Sequence, residues 1–333
     1  FESFDTNGAS MIKTPVDGGV DTVTVFSYGG NSVDMVQSYT DAVITMDAGG
    51  AWLPATAITL SVDDADMNKN PGSAESWAIE NELDVIPTIK VGSPKTLAGG
   101  SNPDLQSGDA FACNSAQTAT QAADADCTNG VHFGTAAGGD AYGLAVFNTS
   151  DNSERLRIVF NGTTSGNSDS VAKGTTYWLN VTTGHTKADL VDLTGTTVMS
   201  YDITGLADTL ATTDINIFVI ASGDNGTKTA GDDIQVASVG NVKSGVVDLS
   251  DGTQYLVNTG VSAPPTTWTG SSAGTDLVTV AFELTVASST EVAATLDFAI
   301  AVDFCNFDQN NGSLVHNCIY RLEAEETGNN TGV

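Results

Sequence analysis

Apolar residues in this chain recur at every second position over short runs, and the runs are separated by Gly, Asn and Asp. A period of two places successive side chains on opposite faces of a pleated strand, so each run predicts a half-buried β-strand. The first is DTVTVFSY, Asp21 to Tyr28, with Val23, Val25 and Tyr28 expected inward. DAVITM (Asp41 to Met46) and ATAITLSV (Ala55 to Val62) follow. SWAIENELDVIPTIKV opens with one helical turn at Trp77 and becomes a strand through Val85 to Val91. Pro87 lacks an amide hydrogen, which puts that strand at an edge or a bulge.

After a Gly/Ser/Pro/Asp-rich loop over 92–110, the pattern becomes denser. AYGLAVFN, RLRIVFN, TTYWLNVTT, KADLVDLT, TTVMSYDI, INIFVIAS and DDIQVASV recur at short intervals. Asn161-Gly162, Thr194-Gly195 and Asp224-Asn225-Gly226 supply the positive φ angles of hairpin turns. No long stretch has helical periodicity. The expected fold class is all-β, a β-sandwich or jelly roll.

Near Lys243 the texture changes. A low-complexity stretch, Ser262 to Thr275, precedes two long apolar runs, DLVTVAFELTVA and Val292 to Phe304. The second is apolar on both faces, as a central strand is. These are additional C-terminal β-strands or a second small β-sandwich. The expected division is 1–245, a jelly-roll-like sandwich with an extended N-terminal segment, and 246–333, a C-terminal β region that could equally complete the first sandwich.

The stretch TTYWLNVTTGHTKADLVDLTGTTVMSYDITG, followed by INIFVIASGDNGTKTAGDDIQVASV, resembles the back half of concanavalin-A-like jelly rolls, laminin-G-like domains included. The resemblance rests on Tyr177-Trp178 in an aromatic strand, the Asp192 to Gly195 turn, and Asp232-Asp233-Ile234 opening a closing strand. It covers roughly residues 105–242. It implies a fold shared by carbohydrate binders, glucanases and purely structural modules, so it transmits no single function.

Charge narrows the partners. The 41 acidic residues outnumber 11 basic ones, for a formal charge of −30. Phosphate backbones and anionic membranes both need Lys and Arg, so nucleic acid is excluded as a partner. A field of that sign serves solubility in a salty medium, cation binding, or self-repulsion that assembly must overcome. No run is long enough for a membrane-spanning helix.

Four cysteines form two local pairs, Cys113 with Cys127 and Cys305 with Cys318. Neither has metal-finger spacing, and two short disulfide loops fit, each stabilising by about 3 kcal/mol. Disulfides would place the chain in an oxidising, extracellular or cell-surface setting; four free buried thiols are the alternative. A start at Phe1 reads as a mature product. Six sequons, at Asn148, Asn161, Asn180, Asn225, Asn311 and Asn329, permit glycosylation.

Calcium is the expected ion. DADMNKNPGSAE sets Asp64, Asp66, Asn68, Asn70 and Glu75 at the alternating oxygen-donor positions of an EF-hand-like loop, with Gly72 between. Lys69 and Pro71 depart from that pattern. Further acidic groups are Asp224, Asp232 and Asp233, and Asp303, Asp308 and Asn310. Glycoside hydrolysis needs a carboxylate pair, yet Glu154 and Glu283 are isolated in sequence. Only His132, His185 and His316 could act as bases, and no nucleophile elbow is present. Of the tryptophans, Trp178 reads as core and Trp268 as a platform for a sugar or a neighbouring subunit; Trp52 and Trp77 read as core.

The expected function is therefore non-catalytic. The first reading is a structural subunit of an extracellular filament, tube or surface layer, a homopolymer in which residues 1–20 add a strand to the next copy. The alternative is a secreted, lectin-like glycan-binding module, and the second alternative a viral capsid or spike component from a saline habitat.

Overall fold

The alternating runs do form strands. A computed structural model describes residues 22–37, 42–47, 57–64, 72–74, 76–81, 86–96, 131–134, 144–150, 154–161, 171–191, 193, 195–221, 233–249, 277–292, 295–310 and 313–328. The chain divides into two compact units, Trp77–Ala324 and Phe1–Ser76 with Glu325–Val333. Two-residue strands β5 (Ser76–Trp77) and β19 (Ala324–Glu325) fall where the chain passes between them.

In the unit formed by residues 1–76 and 325–333, β1 (Thr22–Tyr28) pairs antiparallel with β2 (Asn31–Gln37). β3 (Val43–Met46) pairs with β4 (Leu60–Asp63). Each pair is a separate two-stranded sheet. Tyr28, expected inward, is 92% exposed. Among the described residues its sheet has two strands, β1 and β2.

In the unit Trp77–Ala324, one five-stranded sheet runs β14-β13-β16-β11-β8. Its strands are β8 (Val131–Gly134), β11 (Val171–Thr186), β13 (Thr212–Ala221), β14 (Asp233–Gly240) and β16 (Leu277–Val292). An eight-stranded sheet follows the path β15-β12-β17-β10-β9, with β6, β7 and β18 attached along β17 and β18. These are β6 (Thr88–Val91), β7 (Lys95–Thr96), β9 (Leu144–Ser150), β10 (Arg155–Asn161), β12 (Thr196–Asp202), β15 (Ser244–Asp248), β17 (Thr295–Asn310) and β18 (Ser313–Arg321).

One apolar layer joins the two sheets. It takes every second residue of β16 (Val278, Val280, Phe282, Leu284, Val286), of β17 (Phe298, Ile300, Val302, Phe304) and of β13 (Ile215, Ile217, Val219). Tyr177, Leu179 and Val181 of β11 join them, with Met199 and Tyr201 of β12. Each such side chain contributes about 1.5–3 kcal/mol on full burial. Val292 to Phe304 is apolar on both faces because β17 lies inside its sheet: β12 borders one edge, and β10, β7 and β18 share the other.

Strands of 246–333 complete the same sandwich, the alternative left open at the boundary near 245: β16 lies between β13 and β11, and β17 between β12 and β10. Adjacent apolar strands from both halves bury more surface together than either half could alone. KADLVDLT is not a strand, since Lys187–Val191 is helix α1. Thr186 and Asp189 cap it reciprocally: the Thr186 amide and hydroxyl both donate to Asp189 Oδ2 at 2.8 Å, and the Asp189 amide donates to Thr186 Oγ1. These bonds hold the Asp189 carboxyl below its ordinary pKa. The short loop expected to be closed by Cys305 and Cys318 is closed by that disulfide, and within it the chain forms a β-hairpin with Asn306 opposite Asn317. A second short helix, α2 (Thr204–Thr209), buries Leu206 and Ala207 and has no counterpart in the predicted elements.

Candidate functional site: a polar ladder beside a buried aromatic pair

Alternation leaves β11, β13 and β16 with a second set of side chains on the sheet face turned away from the main core. Register aligns them in rows. Asn216, Glu283 and Trp178 lie abreast on β13, β16 and β11; Gln235, Phe218, Ala281 and Asn180 form the next row. In-register neighbours on one face are close enough to interact. Asn216 Nδ2 donates to Glu283 Oε1 at 3.0 Å, and Gln235 Nε2 donates to Asn216 Oδ1 at 3.2 Å. Trp178 and Phe218 meet at 5.3 Å between ring centroids with a 40° tilt, a favourable aromatic geometry.

Accessibility separates the rows. Gln235 is exposed, and Asn216 and Glu283 are half-buried. Trp178 and Phe218, with Ile220 and Ala281, form a small buried cluster, as expected for Trp178. Chemically the ladder offers amide donors, carbonyl acceptors and one carboxylate, which is hydroxyl-recognising chemistry. Glu283 takes part in the ladder as an acceptor, through Oε1, of the Asn216 amide.

The other sheet carries a buried charge layer. Arg321 pairs with Asp303, both nearly inaccessible. Arg155, buried, donates through Nη1 to the carbonyls of Ile79 at 2.6 Å and Asn81 at 2.8 Å. Lys90 meets Glu154 at 2.5 Å. Burial pushes the Asp303 carboxyl up despite Arg321, so desolvation outweighs the attraction. Arg155 and Glu154 tie residues 79, 81 and 90 to the start of β10, and the Arg321–Asp303 pair ties β18 to β17.

The sequence-expected residues disperse. Asp64 follows β4 and is half-buried, while Asp66, Asn68, Asn70 and Glu75 lie outside the described residues, as do Asp224 and Asp232. Asp233 opens β14, and Asp308 and Asn310 end β17. Asp303 is corrected from cation ligand to ion-pair partner, because its carboxylate is buried against Arg321. Among the described residues no group of three His, Cys, Asp or Glu is arranged to hold a metal. Cys305 and Cys318 form a disulfide with Cα atoms 4.5 Å apart, stapling the β17–β18 hairpin. Cys113 and Cys127 lie outside the described residues.

Asn180 is 1% exposed in the middle of β11. Asn148 and Asn161 are in β9 and β10; Asn225, Asn311 and Asn329 lie outside the described residues. His185 bonds through Nε2 to the Thr96 carbonyl at 3.0 Å. Burial, with Lys95 nearby, lowers its pKa. His316 packs edge-on against Phe307 at 4.8 Å. Trp77 is half-buried, and Trp52 and Trp268 lie outside the described residues.

Sequence reasoning passed over Asn216 and Gln235 and read Glu283 as isolated. Their only signal was a polar residue on the second face of an apolar strand, and register alone made the three neighbours.

No family model matches the chain, and no curated protein does. Among solved structures, one described as "Structural basis for the promiscuous specificity of the carbohydrate-binding modules from the beta-sandwich super family" is similar at 9% identity and a TM-score of 0.26. The likeness covers 86% of this chain and 84% of that one. At that superposition it decides nothing about ligand or activity.

Proposed function

We propose that this protein is a non-catalytic, self-associating structural subunit of an extracellular assembly. The observation that carries the reading is the exposure of apolar side chains on the two ribbons of residues 22–63. Val43, Ile44 and Met46 of β3 are 54%, 61% and 43% exposed, and Val33 of β2 is 69% exposed. All four β3 residues are exposed, on both faces of the strand. A solitary two-stranded hairpin is marginal in water, and its unpaired edges are templates for further strands. Contact with another copy would cover these exposed side chains and extend the ribbons. Strand addition by residues 1–20 and ordering by calcium belong to this proposal, as does the concanavalin-A-like kinship. The Cys305–Cys318 disulfide fits an oxidising location.

The experiment is sedimentation and electron microscopy of the full chain beside an Ile44→Ser/Met46→Ser variant. The reading expects polymers from the parent and monomers from the variant, both with the same near-ultraviolet circular dichroism. Equal polymerisation by both would remove the ribbons from the assembly.

A second reading, glycan binding, is favoured by the Gln235–Asn216–Glu283 ladder. It expects Asn216→Ala to abolish glycan-array signal and leave assembly unchanged; an unaltered array pattern would exclude the ladder as the site.

A further inference from the structure

The assembly reading leaves an electrostatic question, because every copy carries a formal charge of −30. Polymers of like-charged subunits usually rely on cations of one copy meeting acids of the next. Here six of the described basic groups already face acids or carbonyls of their own chain. All three arginines are engaged in this way: Arg155 on the carbonyls of Ile79 and Asn81, Arg157 on Asp297 at 2.6 Å, and Arg321 on Asp303. Lys90 meets Glu154, Lys243 meets Asp208, and Lys95 lies in the field of Asp189. Asp47, Asp63, Glu323 and Glu325, by contrast, are exposed.

We infer that association of copies is gated by mobile cations: the apolar ribbons supply the attraction, and dissolved salt removes the repulsion that blocks it. This rests on the assembly reading above and adds its regulation. At about 0.01 M salt the screening length is about 30 Å, so whole molecules repel; at about 1 M it is about 3 Å, shorter than a side chain. Apolar contact then acts unopposed. The gate is a property of total charge and needs no built metal site, so cations act through ionic strength.

The test uses the full chain, purified in about 10 mM NaCl and followed by analytical ultracentrifugation and negative-stain microscopy. NaCl, MgCl2 or CaCl2 is added at matched ionic strength up to about 1 M. The expected result is monomer at the low end and association in all three salts, with onsets agreeing within a factor of about two in ionic strength. Association already complete in the dilute buffer overturns the gate. Association with calcium alone overturns screening in favour of a specific calcium site. Folded monomer in every salt overturns the assembly reading itself, and is distinguished from the other two results by the absence of any polymer.

Discussion

Two regions of this chain solve the same problem in opposite ways. Residues 77–324 close their apolar faces on one another, so that Phe282, Phe298 and Ile300 are at most 1% exposed. Residues 22–63 have the same alternating sequence texture, yet form ribbons with Ile44 at 61% and Tyr28 at 92% exposure. The difference lies in how many strands are available to pair. β16 and β17 reach back across the sequence to fill central positions in both sheets, whereas among the described residues β1–β2 and β3–β4 pair only with their hairpin partners. A period-two pattern promises a strand with one apolar face; it does not promise a second layer to cover that face.

The contrast is sharpest for large-to-small substitutions. Phe282→Ala in the sandwich is expected to cost about 3–5 kcal/mol, read as a lower denaturation midpoint with unchanged slope. A cost below about 1 kcal/mol would mean that the two sheets do not share one apolar layer.

Of similar or slightly smaller size is the effect of breaking the buried ion pair. Asp303→Ala leaves the Arg321 guanidinium buried without this counter-charge and is expected to cost about 3 kcal/mol or more. Replacing both partners with apolar residues should recover most of the loss. A double variant as unstable as the single one would show that the pair does more than neutralise itself.

A smaller effect concerns pH. Burial, with Glu80 and Glu323 as like-charged neighbours, raises the Asp202 carboxyl above its ordinary 3.8. The folded state therefore holds this proton more tightly than the unfolded chain. Its contribution to stability is full below the unfolded pKa and is lost as pH rises through the raised folded value. Asp202→Asn should flatten the decline in melting temperature just above pH 3.8, measured against the parent protein. Parallel curves would exclude Asp202 as a source of that slope.

The smallest expected effect on stability comes from the exposed ribbon. Ile44→Ser should change unfolding free energy by no more than about 0.5 kcal/mol, because the side chain is mostly in water already. The same substitution is expected to weaken association. A large loss of stability in the monomer would reverse the comparison and make the ribbon part of a closed core.

Much of the fold was legible along the chain. Alternation located most strands within a few residues, Val292 to Phe304 announced a central strand, and the Thr186–Asp189 spacing carried a capping signal that was read as strand. What alternation could not state was which strands pair. Residues 246–333 could be read as a separate region or as part of the first sandwich, because sequence distance hides that β16 and β17 complete sheets begun by β10 to β13. The spacing of Cys305 and Cys318 announced a short disulfide loop, while the cross-strand register that makes it a hairpin is invisible in composition.

The sequence by itself determined the β class, the surplus of acid over base, and the proximity of Cys305 to Cys318, since each follows from local periodicity, counting or short spacing. Only the tertiary structure decided that Asn216, Gln235 and Glu283 stand together, that Asp303 faces Arg321, and that Asn180 is buried in β11. Those are matters of register and of which face looks inward, and both are set by long-range burial of apolar surface.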